Sequence, residues 1–154
     1  MGENAGPITG GCMCGAVRYE MTEGPIRVLN CHCPSCRKHT GAPSAALAVC
    51  TLDQVGFSGD ERRVYASSPG VGRGFCGTCG TPLTWETEFG DLGRVCAIHI
   101  STFDDPEPLR PDAHSFYAER IPWFDIADDL PRYAGFVADG VLVGHGPAGA
   151  DPPA

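Results

Sequence analysis

The chain has 154 residues, a formal net charge of −8, 42% hydrophobic residues and nine cysteines. That length suits one domain with a substantial core, and the acidic balance argues against nucleic acid or anionic membrane as a partner. An odd number of cysteines in close groups argues against a disulfide framework and for metal binding.

Residues Met1 to Gly11 hold no basic segment leading into an apolar run, and Gly6 stands where a myristoylation pattern needs Ser or Thr. No apolar stretch approaches membrane-spanning length. A cytoplasmic location is expected.

After a glycine-rich start, Cys12-Met13-Cys14-Gly15 leads into Ala16 to Met21, whose alternation of apolar and polar residues predicts a half-buried strand. Cysteines at i and i+2 of an extended segment project to one side and can serve one metal. A turn at Glu23-Gly24-Pro25 precedes a second strand, Ile26 to Asn30, which runs into Cys31-His32-Cys33-Pro34-Ser35-Cys36. In an extended Cys31-His32-Cys33 the alternation turns His32 away from the two sulfurs. Pro34-Ser35 gives Cys33 and Cys36 the spacing of a metal-binding turn, and His39 follows at a distance compatible with a fourth ligand. Arg37-Lys38 is the basic patch beside these cysteines, and Lys38 is the sole lysine.

Ser44 to Cys50 is apolar, and Cys50, like Cys96 in Val95-Cys96-Ala97-Ile98, reads as a small buried hydrophobe. Two short strands are expected between Gln54 and Ala66 around a Ser58-Gly59-Asp60 turn, then a mobile Gly/Ser loop from Ser67 to Gly74 close to the site. Phe75-Cys76-Gly77-Thr78-Cys79-Gly80 is a metal knuckle whose glycine tolerates a left-handed backbone. A redox Cys-x-x-Cys would open a helix, whereas Leu83-Thr84-Trp85-Glu86 opens a strand. A Gly90 to Gly93 turn, a strand from Arg94 to Ile100, an Asp/Pro loop from Asp104 to Asp112 and a last strand at His114 to Tyr117 complete a mainly β chain. His99 and His114 read as structural. Residues 134–154 form a C-terminal extension, disordered over 144–154.

Cys12, Cys14, Cys76 and Cys79 together make four thiolates, enough to close a tetrahedral zinc, and Cys31, Cys33 and Cys36 remain as three. A partition in which the central three take a fourth ligand from elsewhere is less economical. Thiolate-rich ligation favours zinc over hard cations, with iron the other metal it admits. Zinc on three protein ligands keeps a position for substrate, and zinc on four is structural.

These motifs resemble a known family. Gly-x-Cys-x-Cys-Gly at Gly10 to Gly15, Cys-His-Cys-x-x-Cys-Arg at Cys31 to Arg37 with Thr40-Gly41-Ala42-Pro43 behind, Phe-Cys-x-x-Cys-Gly at Phe75 to Gly80, and His114 ahead of Pro122-Trp123 are similar to the glutathione-dependent formaldehyde-activating enzymes. That family includes centromere-protein-V-like members. The resemblance spans residues 8–133 and implies a β-tent fold of short antiparallel strands with two zincs. It places the structural zinc on Cys12, Cys14, Cys76 and Cys79 and the catalytic one on Cys31, Cys33 and Cys36. It further implies a carbon–sulfur lyase or synthase acting on a small thiol–aldehyde adduct, as in S-(hydroxymethyl)glutathione formation, with glutathione and an aldehyde as partners. Arg37 and Lys38 are the expected carboxylate anchors, Arg73 a poorer one. The alternative is a non-catalytic zinc module that binds a protein partner.

Overall fold

The computed structural model describes residues 6–138 and 141–143. In chain order they form β1 (Ile8–Gly11), β2 (Arg18–Met21), β3 (Arg27–Cys31), the single α-helix α1 (Pro34–Thr40), β4 (Ala45–Thr51) and β5 (Val55–Ser58). There follow β6 (Arg62–Ser68), β7 (Val71–Cys76), β8 (Pro82–Glu88), β9 (Arg94–His99), β10 (Ala113–Ser115), β11 (Phe136–Ala138) and β12 (Val141–Val143). The mainly β expectation is met, with pairing antiparallel except where β10 runs parallel to β3. The described residues form two compact units, one of residues 6–25 and 50–108, the other of 26–49, 109–138 and 141–143. No helix among them is long and apolar enough to cross a membrane.

In the first unit β1, β2 and β5 form a small sheet in the order β1-β2-β5. In β2, Tyr19 and Met21 are buried and Glu20 is exposed, as the alternation required. Strands β6, β7, β8 and β9 pair as an antiparallel meander. Strands β8 and β9 are buried along most of their length, so their polar residues need partners. The Thr84 hydroxyl donates to Glu86 at 2.7 Å, and the Glu86 carboxylate pairs with Arg62 and, at 3.6 Å, with Arg94. Leu83, Val95 and Ile98 are fully buried beside them, each side chain contributing about 1.5–3 kcal/mol of apolar burial. Cys50 and Cys96 are also buried, the Cys50 thiol donating to the Cys96 carbonyl at 3.4 Å.

Ser67 to Gly74 is a hairpin, not the mobile loop expected: β6 reaches Ser68, Pro69-Gly70 turns, and β7 begins at Val71. Gly72 and Gly74 are strand residues because an added Cβ would lie 2.7 Å from Val64 Cγ1 and 2.2 Å from Thr84 Oγ1. Glycine here answers a close approach between strands rather than a need for flexibility.

In the second unit β3 pairs with β4 from Arg27↔Val49 to Cys31↔Ala45, and with β10 from Leu29↔Ala113 to Cys31↔Ser115. Leu29, Leu47, Ala48 and Ala113 form its buried centre. The expected last strand shrinks to Ala113–Ser115, since Phe116 takes a left-handed φ of 53°. The hairpin of β11 and β12 lies beyond every strand expected from the sequence. Residues 144–154, expected to be disordered, lie outside the described residues.

Candidate metal centres

The first centre lies in the first unit. Cys12, Cys14, Cys76 and Cys79 bring their sulfurs within 4.8 Å of one another. Residues 12–15 form a tight turn rather than the extended segment expected: the Gly15 amide donates to the Cys12 carbonyl at 3.2 Å, and Gly15 adopts φ 80°. The two sulfurs still converge, 3.6 Å apart. Cys76 closes β7, and the Gly80 amide donates to its carbonyl at 2.9 Å, with Gly80 at φ 77°. The two knuckles meet where the Met13 amide donates to the Thr81 hydroxyl at 3.0 Å.

Hydrogen-bond donors are aimed at these sulfurs. The Val17 amide reaches Cys12 Sγ at 3.2 Å, and the Thr78 and Cys79 amides reach Cys76 Sγ at 3.4 and 3.5 Å. Thr81 Oγ1 lies 3.1 Å from Cys79 Sγ. The Thr81 hydroxyl, then its amide, pull the Cys79 thiol down to about 5. At Cys14 the Ala16 amide pulls the thiol down, but desolvation and the sulfurs of Cys12, Cys79 and Cys76 outweigh it and push the thiol up to about 12. Four crowded sulfurs cannot all carry charge unaided, and a dication removes that conflict. Converged sulfurs with N–H donors behind them fit a closed tetrathiolate ion such as zinc.

The second centre lies in the second unit. Cys31, Cys33 and Cys36 also hold their sulfurs within 4.8 Å of one another. Cys31 ends β3, Cys33 caps α1, and Cys36 lies in its first turn. The expected metal-binding turn is therefore a helix start. Pro34 fits the first helical position, where no N–H is needed, and the Cys33 sulfur accepts from the Cys36 amide at 3.3 Å as a capping side chain would. Gly41, at φ 68°, ends the helix. Cys31 and Cys36 are buried and Cys33 is half-buried. The other two sulfurs and then burial push the Cys31 thiol well up, so this group also suits a cation. Neither His32 nor His39 shares the three-sulfur cluster.

The basic residues differ in their freedom. Arg37 donates from Nε to the His32 carbonyl and from Nη2 to the Glu119 carbonyl, both at 3.1 Å. Lys38 is exposed on α1. Arg73 is buried in β7 of the first unit, its Nε donating to Ser67 at 3.3 Å. Burial and then the nearby Cys33 push the Glu119 carboxyl up, so it lies within electrostatic range of the second centre. Glu119 and Asp128, which touches His114, escaped the sequence reading because no local spacing ties them to the cysteines.

Residues 7–119 match the sequence model of the family described as glutathione-dependent formaldehyde-activating enzyme. A comparison with curated proteins finds no match. Among solved structures, a structural-genomics crystal structure of a Rhodobacter sphaeroides protein is similar with a TM-score of 0.52 and 22% identity. The match covers 66% of this chain and 94% of that one, and it shows a shared fold.

Proposed function

The chain belongs to the glutathione-dependent formaldehyde-activating enzyme family, and from that premise we propose that it joins or cleaves the carbon–sulfur bond of a small thiol–aldehyde adduct at Cys31, Cys33 and Cys36. The observation that carries this reading is the count of converged sulfurs, three in one centre against four in the other. Four thiolates saturate a tetrahedral ion, and three leave it open. Cys12, Cys14, Cys76 and Cys79 hold the structural zinc in this reading, and Cys31, Cys33 and Cys36 the catalytic one.

The reaction is S-(hydroxymethyl)glutathione formation or a close relative. A thiol adds to an aldehyde: one C–S bond forms, the carbonyl π bond breaks, and the proton lost by sulfur ends on the new hydroxyl oxygen. Zinc bound to three thiolates supplies a position for a further sulfur and full ionisation of the entering thiol, about thirty-fold more thiolate than a free thiol of pKa about 8.5 offers near neutral pH. The chain's own residues supply placement. Half-buried Cys33 gives the second centre an edge toward solvent, whereas Cys31 and Cys36 are buried. Exposed Lys38 offers a charge for a substrate carboxylate, and Arg37, held by two carbonyls, adds a fixed positive field beside it. Holding thiol and aldehyde together supplies most of the remaining acceleration.

The test is a glutathione titration of protein with cobalt in place of zinc. Glutathione is expected to convert a three-sulfur spectrum to a four-sulfur one with release of a proton, and Cys33→Ser to abolish the response. Lys38→Ala should weaken binding at low salt and less at high salt, where exposed charges are screened. A spectrum unmoved by millimolar glutathione and by a second small thiol would mean a site closed by a protein ligand, His39 first among them. That result would favour a non-catalytic zinc module.

A further inference from the structure

Behind the second centre, three polar side chains form a hydrogen-bonded line that neither the cysteine set nor the proposed reaction uses. His32 Nε2 lies 2.8 Å from His114 Nδ1, and His114 Nε2 lies 3.1 Å from both carboxylate oxygens of Asp128. Both rings are buried. Asp128 Oδ1 also accepts from the Leu130 amide at 3.0 Å and pairs with Arg132 Nη1 at 3.2 Å. All these residues belong to the second unit.

The two ends of the line fix its direction. His32 Nδ1 is buried, and no group among the described residues reaches it as a hydrogen-bond partner. A proton there would strand a buried N–H donor, the rarest kind of unpaired group. The His32 proton therefore sits on Nε2 and points at His114 Nδ1. At the other end the Asp128 carboxylate only accepts, so His114 carries its proton on Nε2 and leaves Nδ1 to receive from His32. Both ends give the same order, His32 to His114 to Asp128.

His32 is held at its backbone as well. Its amide donates to the Ser115 carbonyl at 3.0 Å, and its carbonyl accepts from Arg37 Nε at 3.1 Å. It is thus bound through amide, carbonyl and ring between two of the three cysteines. We propose that Asp128 and His114 are positioning residues: acting through His32, they hold the Cys31–Cys33 segment in ligand-ready geometry before an ion or thiol arrives. The proposal rests on Cys31, Cys33 and Cys36 being a metal site. A segment ordered in advance does not lose that freedom on binding, which strengthens binding without any new contact.

Asp128→Asn provides the test. In the variant, Oδ1 stays oxygen and its two lone pairs serve the Leu130 amide and Arg132, which leaves the amide NH2, in the place of Oδ2, as the group facing His114 Nε2. Two facing donors are relieved when His114 moves its proton to Nδ1. His32 must then accept at Nε2 and carry its own proton on Nδ1, where no acceptor waits. A nearly isosteric change thereby reverses the whole line.

Nitrogen-15 NMR of the zinc-loaded full chain should show both histidines as Nε2–H tautomers in the wild type and as Nδ1–H tautomers in Asp128→Asn. With cobalt loaded, a competing chelator should strip the three-cysteine centre of the variant roughly ten- to a hundred-fold more readily. The four-cysteine centre should be unchanged, and Asp128→Glu should restore the wild-type pattern. A role confined to overall folding would shift the melt without reversing tautomers. If Asp128→Asn does not fold, His114→Gln carries the chelator measurement and should weaken the same centre. A wild-type His32 protonated at Nδ1, or a reversed line with unaltered cobalt retention, would overturn the proposal. No thiol or aldehyde is present, so failure of glutathione to bind leaves these results standing. Absence of any cobalt on the three cysteines overturns this proposal and the site reading together.

Discussion

Cys14 and Cys76 place their sulfurs 3.8 Å apart although 62 residues separate them in the chain. An ion held there joins the turn after β1 to the end of β7 within the first unit. Structural zinc binding is worth about 10–16 kcal/mol apparent, comparable with the whole stability of about 5–15 kcal/mol for a domain. Cys76→Ser should therefore give unfolded or insoluble protein, whereas Cys33→Ser should stay folded because its cluster spans only six residues, Cys31 to Cys36. Circular dichroism and thermal melts compare the two, and equal stability would overturn the division of roles.

Two converged cysteine groups could each hold a metal ion. Elemental analysis of protein purified without chelator should return about two zincs per chain. Mild chelation should remove the ion of the three-cysteine centre first, because an open site presents one less bond to break. One zinc or none at full occupancy would contradict the assignment.

Gly59 is the glycine least open to substitution near the first centre. It sits at φ 94°, and an added Cβ would lie 1.9 Å from the Ala16 carbonyl oxygen, two residues beyond Cys14. Backbone cannot swing aside as a side chain does. Gly59→Ala should cost at least about 2 kcal/mol and lower the melting temperature by roughly 4–8 °C. An unchanged melt would mean that the Ser58-Gly59-Asp60 turn re-forms without cost.

Acid sensitivity should trace in part to Asp104. Arg18 and then the Thr9 hydroxyl hold its carboxyl at about 2, below the ordinary value of about 3.9. A depressed carboxyl stabilises the fold fully above its unfolded value, and the contribution disappears as pH falls through the folded value. Asp104→Asn should melt below the wild type at pH 6, and the gap should close between about pH 4 and pH 2. Both partners are about half exposed, so the gap should be small and shrink with salt. A gap constant from pH 6 to pH 2 would show that the pair does not titrate with folding.

The sequence by itself determined what acts over a few residues. The two-residue period of Ala16 to Met21 marked the strand that forms over Arg18–Met21, and pairs and a triplet of closely spaced cysteines marked the ligand groups that the structure brings together. Glycine after the Cys76–Cys79 knuckle marked the left-handed turn seen at Gly80, whereas the turn at Gly15 came only with the structure. Such signals are local because backbone sterics and ligand spacing are local. Only the tertiary structure decided what depends on strand register. Gly72 and Gly74 read as loop residues until Val64 and Thr84 came to lie against them. His32 read as a bystander until the parallel pairing of β3 with β10 set His114 opposite Asn30, from where its ring reaches His32, with Asp128 beyond. Contacts across 82 and 14 residues leave no periodic trace, because the hydrogen bonds that choose them form only after the strands have found their partners.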